Sequence, residues 1–429
     1  MGIGGPIVET PRWGVSWVIT AALPANGGPS VAFMCDGSPQ PPRRPSGASL
    51  RGRLAWRSGV TGFRNAGDVR RGGRLYIGTA IHERRVSGSG KQWGLQVYCR
   101  PAITEEKQMD KKDKKAPTRA IGRTGLKVSV IGLGTAPFGR EIDQDASHRV
   151  LDYAFSKGVR FIDTAEGYGR TMPGEVIIGN WVRQMGDRKK VQICTKLGSS
   201  GKPEAVKKIV QQSLDRLQTD YIDIFKLHTP FPDVPIAETL DALTSEVRAG
   251  RIKIIGASNF NTKQLKEAVE ASKKGGYAKF EIVQPPYSLA VTDKLGYVTR
   301  HECDLEMFPF CKAEGIAVTP YSPLGAGFLT GKYTPDRKDI PKGTRYDVAP
   351  AHADIYFTDQ NFRILEKLRV KASVLGVSMS QLAIAWVMSS PLVTSTLVGA
   401  REAAHIDQAI AAFNMKLKPK VREEMTLWG

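Results

Sequence analysis

From Val128 to the C-terminus the chain repeats one pattern eight times, a short β-branched run followed by an amphipathic stretch. The runs are 128–136, 160–168, 191–198, 221–230, 252–260, 281–289, 316–324 and 395–400. Helical periodicity is expected over 146–158, 175–185, 203–218, 236–250, 262–274, 303–314, 359–374, 378–389 and 402–413. Eight strand-helix units in about 300 residues fit a (β/α)8 barrel, which typically takes ~250 residues before insertions. A doubly wound open sheet is the alternative, and it needs a G-x-G-x-x-G turn after its first strand. Here that turn reads Gly132-Leu133-Gly134-Thr135-Ala136-Pro137, with proline in place of the third glycine. The barrel is therefore expected over 117–429, with an N-terminal hairpin and a long loop after the seventh strand.

In such a barrel, functional side chains gather at the C-terminal ends of the strands. Those ends carry Asp163 and, five residues on, Tyr168; then Lys196, His228, Ser258-Asn259, Gln284, Tyr321-Ser322 and Gly399-Ala400-Arg401. Taken singly, Asp163 could cap a turn, Lys196 could be a solvated strand end, Tyr168 a packed rim aromatic and His228 a satisfied structural histidine. Together on one rim, Asp163, Tyr168, Lys196 and His228 make a proton-transfer device. A phenol titrates near ~10 in isolation, and an ammonium within ~4–6 Å favours the phenolate. Asp163 would hold Lys196 charged, and His228 would orient a carbonyl oxygen beside the phenol. The set lacks an electron source, so a cofactor must bring the hydride.

These motifs resemble the aldo-keto reductase superfamily over about 117–429. The resemblance is carried by RAIGRTGLKVSVIGLGT, FIDTAEGYG, CTKLG, DYIDIFKLH, GASNF, VTPYSPLGAGFLTGKY and STLVGAR, in order along the whole barrel. It implies that Asp163, Tyr168, Lys196 and His228 form a catalytic tetrad and that NADPH lies extended across the barrel mouth. By the same resemblance, Ser258, Asn259 and Gln284 hold the nicotinamide amide, and Tyr321 stacks on its ring. Ser322, Leu324 and Gly327 fall in the segment that wraps the pyrophosphate, Gly134, Thr135 and Ala136 lie beneath the ring, and Asp163 and Gly399 complete the cofactor-binding set. Arg401 takes the adenosine 2′-phosphate, for which a guanidinium is suited. The adenine end departs from the family pattern: His405 stands at its first position, and Gln408-Ala409 replace an acid and an asparagine. The implied activity is reversible NADPH-dependent reduction of an aldehyde or ketone, with Tyr168 giving the proton. A non-catalytic nicotinamide-binding regulatory subunit of the same fold is the alternative. Loops after the first, fourth and seventh strands, including 328–357, would shape the substrate pocket.

Composition narrows the remaining classes. The formal charge is +20, of which residues 1–108 carry +9 and the other 321 carry +11. That first segment holds 18 Gly, 9 Pro and 13 Arg against 2 Lys, without a sustained apolar period, so 1–108 is expected to be disordered, within a low-complexity Gly/Pro/Arg-rich extension over 1–116. Glu105-Glu106-Lys107-Gln108 must be encoded by purine-rich codons directly before Met109, as in a bacterial ribosome-binding site. Met109 is accordingly read as the true start, with 1–108 a translated leader; a targeting segment and a genuine accessory region stay open. The extension lacks the aromatic interleaving or recognition helix of a nucleic-acid binder. No run reaches 18 apolar residues. The five cysteines include no C-x-x-C pair, and His301-Glu302-Cys303-Asp304 reads as the cap of the following helix, so no metal is expected. A cytoplasmic enzyme with a small carbonyl substrate, and neither nucleic acid nor membrane as partner, is the resulting expectation; the sequence assigns no oligomeric state.

Overall fold

The computed structural model describes residues 115–292 and 298–429, except 171, and the backbone pairing of 76–86 and 90–100. The chain divides into two units, Met1–Lys112 and Asp113–Gly429. In the first, Tyr76–Val86 and Gly90–Arg100 pair antiparallel, with Ile81 opposite Leu95 and Thr79 opposite Val97. The expectations of disorder over 1–108 and of a start at Met109 otherwise lie outside the described residues. Of these only the expectation of disorder meets described residues, at 76–86 and 90–100, which pair as strands: Ile77-x-Thr79-x-Ile81 and Trp93-x-Leu95-x-Val97 carry a two-residue period that the glycine and arginine content obscured.

The second unit is the (β/α)8 barrel. Its parallel strands are β1 (Ile131–Gly134), β2 (Phe161–Asp163), β3 (Gln192–Leu197), β4 (Ile222–Leu227), β5 (Ile252–Ser258), β6 (Phe280–Gln284), β7 (Ala317–Val318) and β8 (Thr396–Gly399). Each hydrogen-bonds its neighbour in chain order, and β8 pairs with β1. The ring closes where Thr394 N donates to Val318 O (2.8 Å) and Leu397 N to Pro320 O (2.9 Å). The connecting helices are α1 (Gln144–Ser156), α2 (Gly174–Met185), α3 (Pro203–Leu217), α4 (Ile236–Arg248), α5 (Thr262–Gly275) and α6 (Phe308–Glu314). After them come α7 (Asp359–Leu375), α8 (Met379–Met388), α9 (Ala403–Asn414) and α10 (Pro419–Thr426). Reciprocal capping boxes open α5 (Asn261 with Gln264) and α8 (Ser378 with Gln381).

The strands stop short of the runs read from sequence. Pro285 and Pro286 follow β6 and Pro320 follows β7, and a proline has no N–H to continue the ladder. His301–Asp304 lies within a helical stretch that includes a π turn at Cys303–Met307, and Thr299 rather than this cluster provides the cap. Among the described residues no single helix is long and apolar enough to cross a membrane.

Two apolar layers position the site. The larger lies between the strands' outer faces and the helices. The smaller fills the barrel: Phe161, Cys194, Ile224, Ile254, Ile282, Ala317 and Leu397, closed below by Ile121 and Val128 of the hairpin formed by Thr118–Ala120 and Lys127–Ser129. Strand side chains alternate, so the residues two further along also face inward. They are Asp163, Lys196, Lys226, Gly256, Gln284, Thr319 and Gly399, a polar layer resting on an apolar plug. β1 supplies only glycine to the same interior; a Cβ on Gly132 would lie 2.5 Å from Leu397 Cδ2.

Candidate active site

Asp163 ends β2 and is almost wholly buried. Its Oδ1 accepts from Lys196 Nζ at 2.5 Å, and its Oδ2 from Lys226 Nζ at 3.3 Å. Lys196 also donates to Thr164 O (2.7 Å), which fixes the ammonium from a second side. Tyr168 follows on a turn closed by its own N–H to Ala165 O, and its ring centre stands 5.0 Å from Lys196 Nζ. His228, held by its N–H to Leu197 O, meets Tyr168 edge-on with ring centres 5.7 Å apart. The four side chains named from strand ends are thus gathered at one spot.

Charge and burial set their protonation. Burial opposes ionisation of Asp163, but the Lys196 and Lys226 ammoniums overcome it and hold the carboxyl below its ordinary range. Burial likewise opposes the Lys196 charge, and Asp163 outweighs it, so the ammonium is held above its usual range. His228 is pushed down to about 4, by burial first and then by Lys196, and is neutral at pH 7. Tyr168 differs from expectation. Lys196 does pull its phenol downward, but burial is the larger influence, and the net displacement is upward. Cys194, beneath Asp163, is pushed up to about 12 by burial and stays a thiol.

The rim residues form a second connected set. Ser258 Oγ donates to Gln284 O (3.0 Å), Tyr321 Oη to Asn259 Oδ1 (2.8 Å), and Asn259 Nδ2 to His228 O (2.8 Å). Asn259 and Ser322 adopt left-handed backbone at φ 61° and 55°, tying the ends of β5 and β7 into tight turns. Gln284 is turned inward: its Oε1 accepts from Lys226 (2.7 Å) and its Nε2 faces Asp163 Oδ1 (3.3 Å). Thr135 donates through both N and Oγ1 to Asp163 O. Gly134 and Gly399 are register partners at the mouth, with Ala136 half-buried beside them. A Cβ on Gly399 would meet only Gly134 O, at 3.9 Å, so this wall is open.

Leu324 and Gly327 lie in the turn after β7, where Gly327 has φ 93°. The position of a Cβ there is 3.8 Å from Lys332 Nζ. The Lys332 ammonium is held below its usual range by burial and then by the Arg401 guanidinium. His405 is lowered by burial, with Glu402 opposing and Arg401 and Lys332 reinforcing. Arg401 Nη1 donates to Gly343 O (2.9 Å), linking the end of β8 to the long loop. An open glycine-walled floor and a crowded basic cluster at the far end suit an extended anionic cofactor. Among the described residues no group of three His, Cys, Asp or Glu could hold a metal ion.

Two residues of this region escape the strand-end reading. Lys226 lies two positions before His228 and so shares its face of β4, a parity visible in DIFKLH. Lys332 falls within VTPYSPLGAGFLTGKY but sits in a loop without periodicity, so a reading of strand ends passes it by.

Comparison with known proteins adds a family. A model of the aldo/keto reductase family matches residues 130–426. A probable voltage-gated potassium channel subunit beta of Arabidopsis thaliana is 32% identical, over 69% of this chain and 90% of the relative. An uncharacterized oxidoreductase, YrpG, of Bacillus subtilis is 30% identical, over 70% and 92%. A probable aldo-keto reductase 1 of Glycine max is 30% identical, over 71% and 86%.

Proposed function

Because the chain belongs to the aldo/keto reductase family, and so is an NAD(P)H-dependent oxidoreductase, we propose that it reduces an aldehyde or ketone to the alcohol with NADPH, reversibly. The observation that carries this reading is the buried Asp163–Lys196 ion pair beneath the Tyr168 phenol, with neutral His228 opposite. In this reading Ser258, Asn259 and Gln284 hold the nicotinamide amide, and Tyr321 its ring. Gly134, Thr135, Ala136 and Gly399 leave room beneath it, and Ser322, Leu324 and Gly327 take the pyrophosphate. Arg401, His405 and Lys332 hold the adenosine end, Arg401 on the 2′-phosphate.

When bound, NADPH supplies the hydride. Tyr168, kept protonated by burial, donates its phenolic proton to the carbonyl oxygen as alkoxide character develops there. Lys196 stabilises the phenolate left behind, and Asp163 keeps Lys196 charged and fixed. Neutral His228 donates one ring N–H to the same oxygen and orients it. The cytoplasm is the compartment this reading takes, supported by Cys194, Cys303 and Cys311 being free thiols.

Names of relatives favour a second reading, in which the same fold serves as a nicotinamide-binding regulatory subunit. A panel of simple aldehydes and ketones, followed by loss of NADPH absorbance, separates the two. Turnover that falls about 100-fold or more in Tyr168→Phe, with NADPH still bound, is the expected result. A chain that binds NADPH and reduces nothing on the panel would favour the regulatory reading.

A further inference from the structure

No step above uses Lys226. It is fully buried, and the sheet register sets it beside Lys196. Its ammonium reaches Asp163 Oδ2 at 3.3 Å, Gln284 Oε1 at 2.7 Å and Thr319 Oγ1 at 3.5 Å. The groups that share this enclosure are Asp163 of β2, Lys196 and Cys194 of β3, Gln284 of β6, Thr319 after β7, and Tyr168 and His228 above. One carboxylate therefore faces two ammoniums, while the thiol, phenol and imidazole are neutral at pH 7. Among the described residues the floor of the site is left with one positive charge in excess, on side chains buried from solvent.

A nicotinamide ring is neutral when reduced and cationic when oxidised. We propose that Lys226 is a positioning residue that fixes the Gln284 amide against Asp163 and, by its charge, makes the site bind NADPH in preference to NADP+, so that the reduced cofactor fills the site and the oxidised one is expelled after turnover. This rests on the nicotinamide reading above. The comparison isolates the ring, because the adenine, both ribose units and the 2′-phosphate are common to the two ligands and cancel in the ratio of their affinities.

The test is titration calorimetry of the full chain with NADPH and with NADP+, at pH 7 and one ionic strength. Wild type is expected to bind NADPH about tenfold or more tightly than NADP+, which corresponds to raising the bound couple's potential by ~30 mV. Lys226→Met and Lys226→Gln should bring the ratio close to one, and Lys226→Arg should keep it. A merely structural lysine would weaken both ligands alike. A wild-type ratio at or below one overturns the proposal whether or not the neutral variants fold. So does a ratio that folded neutral variants leave unchanged. Failure of wild type to bind either ligand would instead remove the nicotinamide reading itself.

Discussion

Replacing Asp163 by asparagine tests the charge arrangement on which the site is built. Asp163 Oδ1 receives Lys196 at 2.5 Å and Oδ2 receives Lys226 at 3.3 Å, all three groups being buried. At an effective dielectric of ~20 those contacts are worth about 7 and 5 kcal/mol before the cost of desolvation. In Asp163→Asn the new amide would keep one acceptor but set its NH2 against an ammonium, leaving two buried cations with no counter-charge. Stripping one partner from a buried ion pair costs about 3–5 kcal/mol, and the loss of a shared partner belongs at the upper end. The pH dependence has a definite sign. Without the carboxylate, the burial that already opposes the Lys196 charge is left unopposed and draws that lysine's folded-state pKa below the ~10.4 of the unfolded chain. The penalty is then fullest at neutral pH and shrinks as pH rises toward 10, where the folded variant sheds a proton that the unfolded chain still binds. Urea unfolding of the full chain, followed by tryptophan fluorescence at pH 7 and pH 9.5, reads both quantities. A variant within about 1 kcal/mol of wild type at pH 7, or one equally destabilised at both pH values, would refute the reasoning.

Arg401→Ala should weaken NADPH binding about tenfold or more and leave NADH unaffected, since a charge-assisted hydrogen bond contributes roughly 1.5–3 kcal/mol; equal losses in fluorescence titrations of the two would remove the 2′-phosphate role. His228, displaced from 6.5 to about 4, binds a proton in the unfolded chain before the folded one, so its contribution to stability falls as pH drops below 6.5 and levels off below about 4. Relative to His228→Gln, wild type should accordingly lose about 1.6 kcal/mol between pH 6.5 and pH 5 in parallel urea titrations; superimposable pH profiles would mean that the imidazole is not held neutral by the fold. Gly256→Ala should destabilise by about 1–3 kcal/mol, because a Cβ there would lie 2.4 Å from the Ile282 backbone oxygen, and a thermal melt unchanged from wild type would contradict that packing.

How far the sequence could be read follows from which features are local. β-branched runs separated by amphipathic stretches report strands and helices directly, and barrel geometry turns strand ends into a list of site residues. Asp163, Tyr168, Lys196 and His228 were therefore within reach before any coordinates. β7, only Ala317–Val318, was legible as an element but not in its length, since the prolines at 320 and 323 leave few N–H groups for a ladder. Lys226 lies one residue short of the end of β4, where a rule based on strand ends does not reach. Parity along DIFKLH puts Ile224, Lys226 and His228 on one face, but only the closed ring shows that Asp163, Gln284 and Thr319 surround that face. The acidity of Tyr168 illustrates a different barrier. Its direction is decided by competition between a nearby ammonium and loss of solvent, and a motif supplies the first without the depth of burial that sets the second. Lys332 is brought to Arg401 by the left-handed turns at Gly325, Ala326, Gly327 and Gly331, a path fixed by tertiary packing of the loop rather than by any period in it. The chemistry that strand ends announce is thus the proton relay. The electrostatic setting that decides how such a relay behaves is written in contacts between residues far apart in the chain.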